Sequence, residues 1–186
     1  MKIELEGKVK VIVEKNDKIL KKYEQKMNSF LRNLDHILAL FFTGSQCAEQ
    51  PVVTLYDITG EECNIYGISQ GIYTPSRIRI GSGTKEVSPD DYALDAEIAY
   101  VASQGFTYNS STRTIVVRGS WVNNTEADKT VTEVGLSWYI VYYYNSERNT
   151  RADDFLIIRD LLENSVTVPV GASITVEFTI TVKVSG

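Results

Sequence analysis

The sequence predicts a mainly β protein: an antiparallel β-sandwich with an N-terminal β-hairpin and one short amphipathic helix. Three observations predict it. Both ends of the chain alternate apolar and polar residues with period two, the pattern of a half-buried strand. Between them, turn-forming residues recur at intervals of roughly 8 to 15 residues, the spacing of a sandwich. One stretch, near residues 28–43, switches to a helical period.

Residues 2–14 open the chain with Ile3, Leu5, Val9, Val11 and Val13 on one face and Lys2, Glu4, Glu6, Lys8, Lys10 and Glu14 mostly on the other. Lys15-Asn16-Asp17-Lys18 predicts a hairpin turn, because Asn and Asp tolerate left-handed backbone angles. Ile19–Tyr23 is the returning strand. Phe30, Leu34, Ile37, Leu38 and Phe41 then fall on one helical face. Asn28 or Ser29 is the expected cap and Gly44 the expected end. Such a helix spans about 20 Å, too short to cross a bilayer. Its apolar side must pack on this chain's own sheet or on a neighbour.

From Gln50 the sequence reads as strands and turns. Val52–Tyr56, Arg77–Ile80, Glu97–Ser103, Thr112–Val122, Val131–Tyr144 and Phe155–Leu162 are the strand candidates. Asp57–Gly60, Ser88–Asp91, Asn123–Asp128 and Val166–Gly171 are read as turns or loops, and Asn145–Asp153 as a long charged loop. Residues 65–72 are glycine-punctuated and irregular. The last segment alternates most cleanly: Ile174, Val176, Phe178, Ile180, Val182 and Val184 against Thr175, Glu177, Thr179, Thr181 and Lys183. That run extends about 36 Å, long for a globular strand. The expected organisation is a hairpin-plus-helix appendage over residues 1–50 and a sandwich domain over 51–186.

Composition narrows the function. Of 186 residues, 43% are hydrophobic, enough for a real core. A net charge of −5 argues against nucleic acid as the main partner. No apolar run reaches the ~18 residues of a membrane span, and the N-terminus lacks the apolar stretch of a signal peptide. The two cysteines, Cys47 and Cys63, form no CxxC pair; they are two thiols or one disulfide. Eleven tyrosines supply aromatic area suited to cores and interfaces alike.

Catalytic chemistry finds little footing. The only histidine, His36, sits beside Arg32, Asn33 and Asp35, away from the apolar stripe, and reads as a solvent-facing or interface residue. Gly81-Ser82-Gly83-Thr84 lacks the third glycine or the Gly-Lys-Ser/Thr of a phosphate loop, so a turn or bulge is expected. Asp90, Asp91, Asp95 and Glu97 form an acidic cluster without the spacing of a calcium loop. Asn109-Ser110-Ser111 and Asn123-Asn124-Thr125 fit glycosylation acceptors. The expectation is no enzyme, with no catalytic, cofactor or metal site and no small-molecule substrate.

Several segments resemble virion structural proteins of archaeal viruses and phages, of the tail or adaptor type. Ile78-Arg79-Ile80-Gly81-Ser82-Gly83-Thr84, then Val87-Ser88-Pro89-Asp90-Asp91-Tyr92-Ala93-Leu94 and Glu97-Ile98, resembles a strand ending in a G-x-G-T turn followed by S-P-x-D-x-x-L. Thr130–Leu136 resembles the ITEVGL strand of those proteins. Val166–Gly171 running into Ile174-Thr175-Val176 resembles their closing hairpin. The N-terminal part, with Lys8–Val13, a turn and Met27–Asn33, is also similar to archaeal virus structural proteins. The resemblance covers most of residues 1–43 and 77–184.

It implies a tail, adaptor, nozzle or spike subunit in a virion, ringed with copies of itself and contacting other virion proteins, and it implies no catalytic residues. Phe30, Leu34, Ile37 and Phe41 on the helix and Tyr142, Tyr143 and Tyr144 near the end of a strand are the candidate interface residues, with Tyr139 beside them. The alternative is a carbohydrate- or receptor-binding sandwich module of a spike, its site lined by aromatics such as Tyr73, Trp121 and Tyr143.

Overall fold

The computed structural model describes residues 2–27, 29–43, 51, 53–72 and 76–185. Among them the chain forms twelve strands and one helix. In chain order these are β1 (Lys2–Lys15), β2 (Lys18–Met27), α1 (Arg32–Thr43), β3 (Val53–Tyr56), β4 (Glu62–Ile65), β5 (Gly67–Ile72) and β6 (Arg77–Gly81). There follow β7 (Glu97–Ala102), β8 (Gly105–Asn109), β9 (Thr114–Val122), β10 (Lys129–Tyr143), β11 (Thr150–Val168) and β12 (Ser173–Ser185).

Two antiparallel sheets share one core. The first runs β2-β1-β12-β9-β8; the second runs β11-β10-β6-β7, with β5 also paired to β10. A small β3–β4 hairpin stands beside them. The predicted alternation sets the inward faces. Val9, Val11 and Val13 on β1 and Ile174, Val176 and Phe178 on β12 are buried, facing a core that also holds Ile78, Ile80, Val134 and Leu136 of the second sheet. Each such side chain contributes on the order of 1.5–3 kcal/mol on leaving water.

The N-terminal hairpin closes as expected, with Asn16 at φ 51° and Asp17 at φ 60°, the left-handed pair of a two-residue turn. The structure differs from the sequence reading in where the hairpin belongs. Residues 1–50 were expected as an appendage, yet β1 pairs β12 from Lys2 opposite Ser185 to Glu14 opposite Ser173. Thirteen consecutive register positions make the hairpin two strands of the larger sheet.

Other differences have local causes. The helix begins at Arg32, later than the expected cap. Phe30 instead bridges Ile158, and the Leu31 N–H donates to the Ile157 carbonyl at 3.0 Å, so the free edge of β11 takes this backbone before it can coil. The expected cap Asn28 and the expected end Gly44 lie outside the described residues. The Asn145–Asp153 loop is shorter than predicted, because β11 starts at Thr150 and sets Arg151 opposite Tyr142 and Asp153 opposite Ile140. At its far end β11 continues through Val166 and Val168, so the closing turn is only Pro169–Gly171, with Gly171 at φ 75°. β8 has no counterpart in the sequence reading: it is five residues long and most of it is exposed, so no burial pattern marks it.

The outer face of the second sheet is roofed. Residues 82–96, which link β6 to β7, cross it and bring Leu94 and Val87 against Leu31 and Leu156 in a second, smaller core. Helix α1 packs on β11 and β3.

Candidate functional site

The sequence-predicted interface residues divide. Leu34 is 5% exposed and Ile37 fully buried in the chain's own core, while Phe30 is half-buried against it. The described part of the helix's apolar stripe is therefore spent internally. The Phe41 side chain lies outside the described residues. Tyr142 is buried too: its hydroxyl donates to Asp153 at 2.7 Å, its ring meets Phe155 edge-on at 5.9 Å, and burial, then hydrogen bonds with Cys63 and Asp153, push its phenol far up. Tyr143 and Tyr139 are half-buried, and only Tyr144 is well exposed.

The motif segments do meet, around a carboxylate. Glu133, fully buried on β10, accepts hydrogen bonds from the backbone N–H groups of Gly83 (2.9 Å), Ala96 (2.8 Å) and Asp95 (3.1 Å) and from Arg159 Nε (2.9 Å). Arg159 reaches on to Asp91 at 2.6 Å and to the Lys85 carbonyl at 2.9 Å. Burial alone would lower the Arg159 guanidinium, but its bonds to Asp91 and Glu133 outweigh that and raise it. The two glycines are sterically required here: a Cβ on Gly81 or Gly83 would lie 2.5 or 2.4 Å from Glu133 Oε1. Gly135 likewise leaves room for Leu94. The G-x-G-T, S-P-x-D-x-x-L and T-E-V-G-L segments thus lock the roof to the sheet through Glu133, Arg159 and Asp91.

A second buried guanidinium sits nearby. Arg79, on β6, donates from Nε to Ser137 at 2.9 Å and from Nη1 to Glu97 at 2.6 Å, and pairs with Asp154. Arg77 joins Asp154 at 2.9 Å and lies over the rings of Tyr100 and Tyr139 at 5.3 and 5.1 Å. The sequence reading missed both buried arginines. The signal was available: Arg77 and Arg79 alternate with Ile78 and Ile80 on a strand entering the motif.

The remaining candidates are likewise engaged. Asp91 and Glu97 hold the arginines, and Asp95 Oδ2 accepts from the Thr84 and Lys85 N–H groups, so the acidic cluster is divided among separate partners. His36 is half-buried with Nδ1 2.8 Å from the Thr54 carbonyl. Asn123 is fully buried and donates its amide to Val168 and Ala127, so the second glycosylation tripeptide is closed in the folded chain. Cys63 is buried, which pushes its thiol up; Cys47 lies outside the described residues, and with it the disulfide question. Of the aromatics proposed for a sugar site, Tyr73 is outside the described residues, and Trp121 and Tyr143 belong to different sheets.

Among the described strands, β8 is an edge with a pairing partner on one side only: it ends the five-stranded sheet and pairs β9. Phe106 lies opposite the buried Val117 yet is 53% exposed, and Tyr108, opposite Ile115, is 59% exposed. Tyr100, on the neighbouring edge strand β7, is 55% exposed. β8 reads Gly-Phe-Thr-Tyr-Asn, with no charge and no proline. An unguarded main-chain edge beside exposed aromatics is the composition of a docking surface.

No protein-family model, no curated protein and no solved structure matches the chain.

Proposed function

We propose that this chain is a structural subunit of a virus particle, a tail, adaptor or nozzle ring component that works by contact with copies of itself and with other virion proteins. The observation that carries the reading is the β8 edge. On the side away from β9 its backbone has no described strand beside it, and its apolar side chains continue the core face outward into solvent. Adding a strand there satisfies main-chain hydrogen bonds and buries Phe106 and Tyr108 together.

A ring needs two different patches on each copy, because a head-to-tail contact never pairs a surface with itself. The opposite end of the sheet offers the second. Ile19 and Leu20 beside the β1–β2 turn, Val122 at the end of β9 and Val170 in the closing turn are 54, 48, 44 and 40% exposed. The Lys15 ammonium donates to the Val170 carbonyl at 2.9 Å and ties the two turns together. The family resemblance of the motif segments points the same way.

Light scattering on the purified chain tests this. The expected result is discrete oligomers whose population rises with concentration, with β8 amides becoming protected from hydrogen exchange as they form. A clean monomer at several hundred micromolar, with freely exchanging β8 amides, contradicts it.

A further inference from the structure

The geometry points to a second surface of different chemistry: the cleft between the start of α1, the β3–β4 hairpin and residues 89–92 as a binding site for a neutral sugar residue. The cleft encloses about 460 Å³, inside the roughly 300–1,000 Å³ range of small-ligand sites. It lies apart from β8 and stands whether or not copies assemble.

Two tyrosines wall it. Tyr56 and Tyr92 are 46 and 43% exposed. Asn33 holds the Tyr56 carbonyl at 3.0 Å. Tyr92 rests on Gly60, where a Cβ would come 2.9 Å from the ring, and Gly60 is held at φ 83° by the β3–β4 turn. Exposed rings held by a rigid frame are what the C–H face of a pyranose stacks on, at little cost in side-chain entropy.

The rim is polar and electrically balanced. Arg32 and Asp90 pair at 2.8 Å while 60 and 59% exposed, so they present donors and acceptors together with no net charge. The adjoining Asp91 is paired from beneath with Arg159, which it shares with Glu133, and lies 3.8 Å from the Lys85 ammonium. His36 adds a ring to the wall: a carbonyl oxygen only accepts, so Nδ1 carries the proton given to Thr54 at 2.8 Å. Donor, acceptor and aromatic face together fit a polyhydroxylated ring. An anion fits poorly, since Arg32, the cation of the described lining, is paired and the carboxylates of Asp90 and Asp91 adjoin it. A wholly aliphatic ligand would strip water from the Arg32–Asp90 pair without replacing it.

The test uses the full chain. Saturation-transfer NMR against a panel of methyl pyranosides, and an array carrying both polysaccharide fragments and glycoprotein glycans, identify the sugar and its source. The expected result is saturation of ring C–H protons for at least one pyranose. Tyr92→Ala should weaken binding tenfold or more, Tyr92→Trp should retain it, and Arg32→Ala with Asp90→Ala should weaken it on a fold left intact. Phe106→Lys, on the distant edge, should bind as the parent does. Absence of binding across the panel at millimolar sugar overturns the proposal. So does binding that survives both Tyr92→Ala and the Arg32→Ala, Asp90→Ala pair.

Discussion

The five-stranded sheet has two edges, and they are built oppositely. At one, β2 carries Lys18, Lys21, Lys22 and Lys26 along its length. The buried Gln25 then stitches it to the other sheet: its amide donates to Asp160 at 2.9 Å and to the Leu161 carbonyl at 2.8 Å, and its oxygen accepts from the Glu163 N–H at 2.9 Å. At the other edge, β8 carries no charge, and its aromatic side chains stand in water. Lysines on an edge strand deter pairing with a second chain, because docking would bury them. One edge is closed by charge and by bridging, and the other is left available. That asymmetry is what the proposed assembly by contact requires.

The comparison can be broken or sharpened by substitution, starting with the largest effect on stability. Glu133→Ala leaves Arg159 buried with one of its two counter-charges removed and frees three backbone donors. It should cost about 3–5 kcal/mol in urea unfolding and damage both edges alike. If it costs under about 1 kcal/mol, the roof is not what braces the second sheet.

Gln25→Ala removes three hydrogen bonds that close the β2 side. The expected loss is about 1–3 kcal/mol, with assembly unchanged wherever the chain remains folded. Equal loss of assembly would show that the two edges are not independent.

Asp57 offers a smaller and pH-dependent change away from both edges. Burial pushes its carboxyl up, but hydrogen bonds from the Thr59 hydroxyl, the Glu61 N–H and the Thr59 N–H, aided by Arg151, outweigh that and hold it below its ordinary value. A depressed carboxyl stabilises the fold fully above its unfolded pKa of about 3.9. That contribution fades as pH falls through the lower folded value. Parent and Asp57→Asn should therefore differ in stability at neutral pH and converge in strong acid, read by melting across a pH series. A constant gap would refute the assignment.

The smallest effect on stability belongs to the open edge. Tyr108→Ser and Phe106→Ser alter largely exposed side chains, so stability should move by only about 0.5 kcal/mol while assembly falls. A large loss of stability in the isolated monomer would mean these rings belong to the core after all.

The sequence made the strands legible where alternation meets a one-sided core, as on β1 and β12. It showed only the middle of β11, Phe155–Leu162, because a register shift between the pairings at Leu161 and Val166 breaks the alternation toward the far end; the burial of Arg159 and Asp160 was not legible, since their partners lie 26–135 residues away. It placed the interface on Leu34, Ile37 and Tyr142 because an apolar stripe looks alike whether its cover is internal or external. Ile158 and the rest of β11 supply that cover within the chain. The edge that is open, β8, escaped notice for the opposite reason: edge status depends on which strand lies alongside, and five residues carry no periodicity long enough to read. The Gly81–Thr84, Ser88–Leu94 and Thr130–Leu136 segments stand out in the sequence, but the charge partners that join them become visible only when Glu133 and Arg159 are brought together.

Sedimentation velocity on the parent and on the Phe106→Lys, Tyr108→Lys double variant, which gives β8 the lysines that β2 already has, tests the central claim most directly. The account predicts concentration-dependent oligomers for the parent and a folded monomer for the variant, with melting temperatures that differ little. A parent that sediments as a monomer throughout, or a variant that assembles as the parent does, would contradict it.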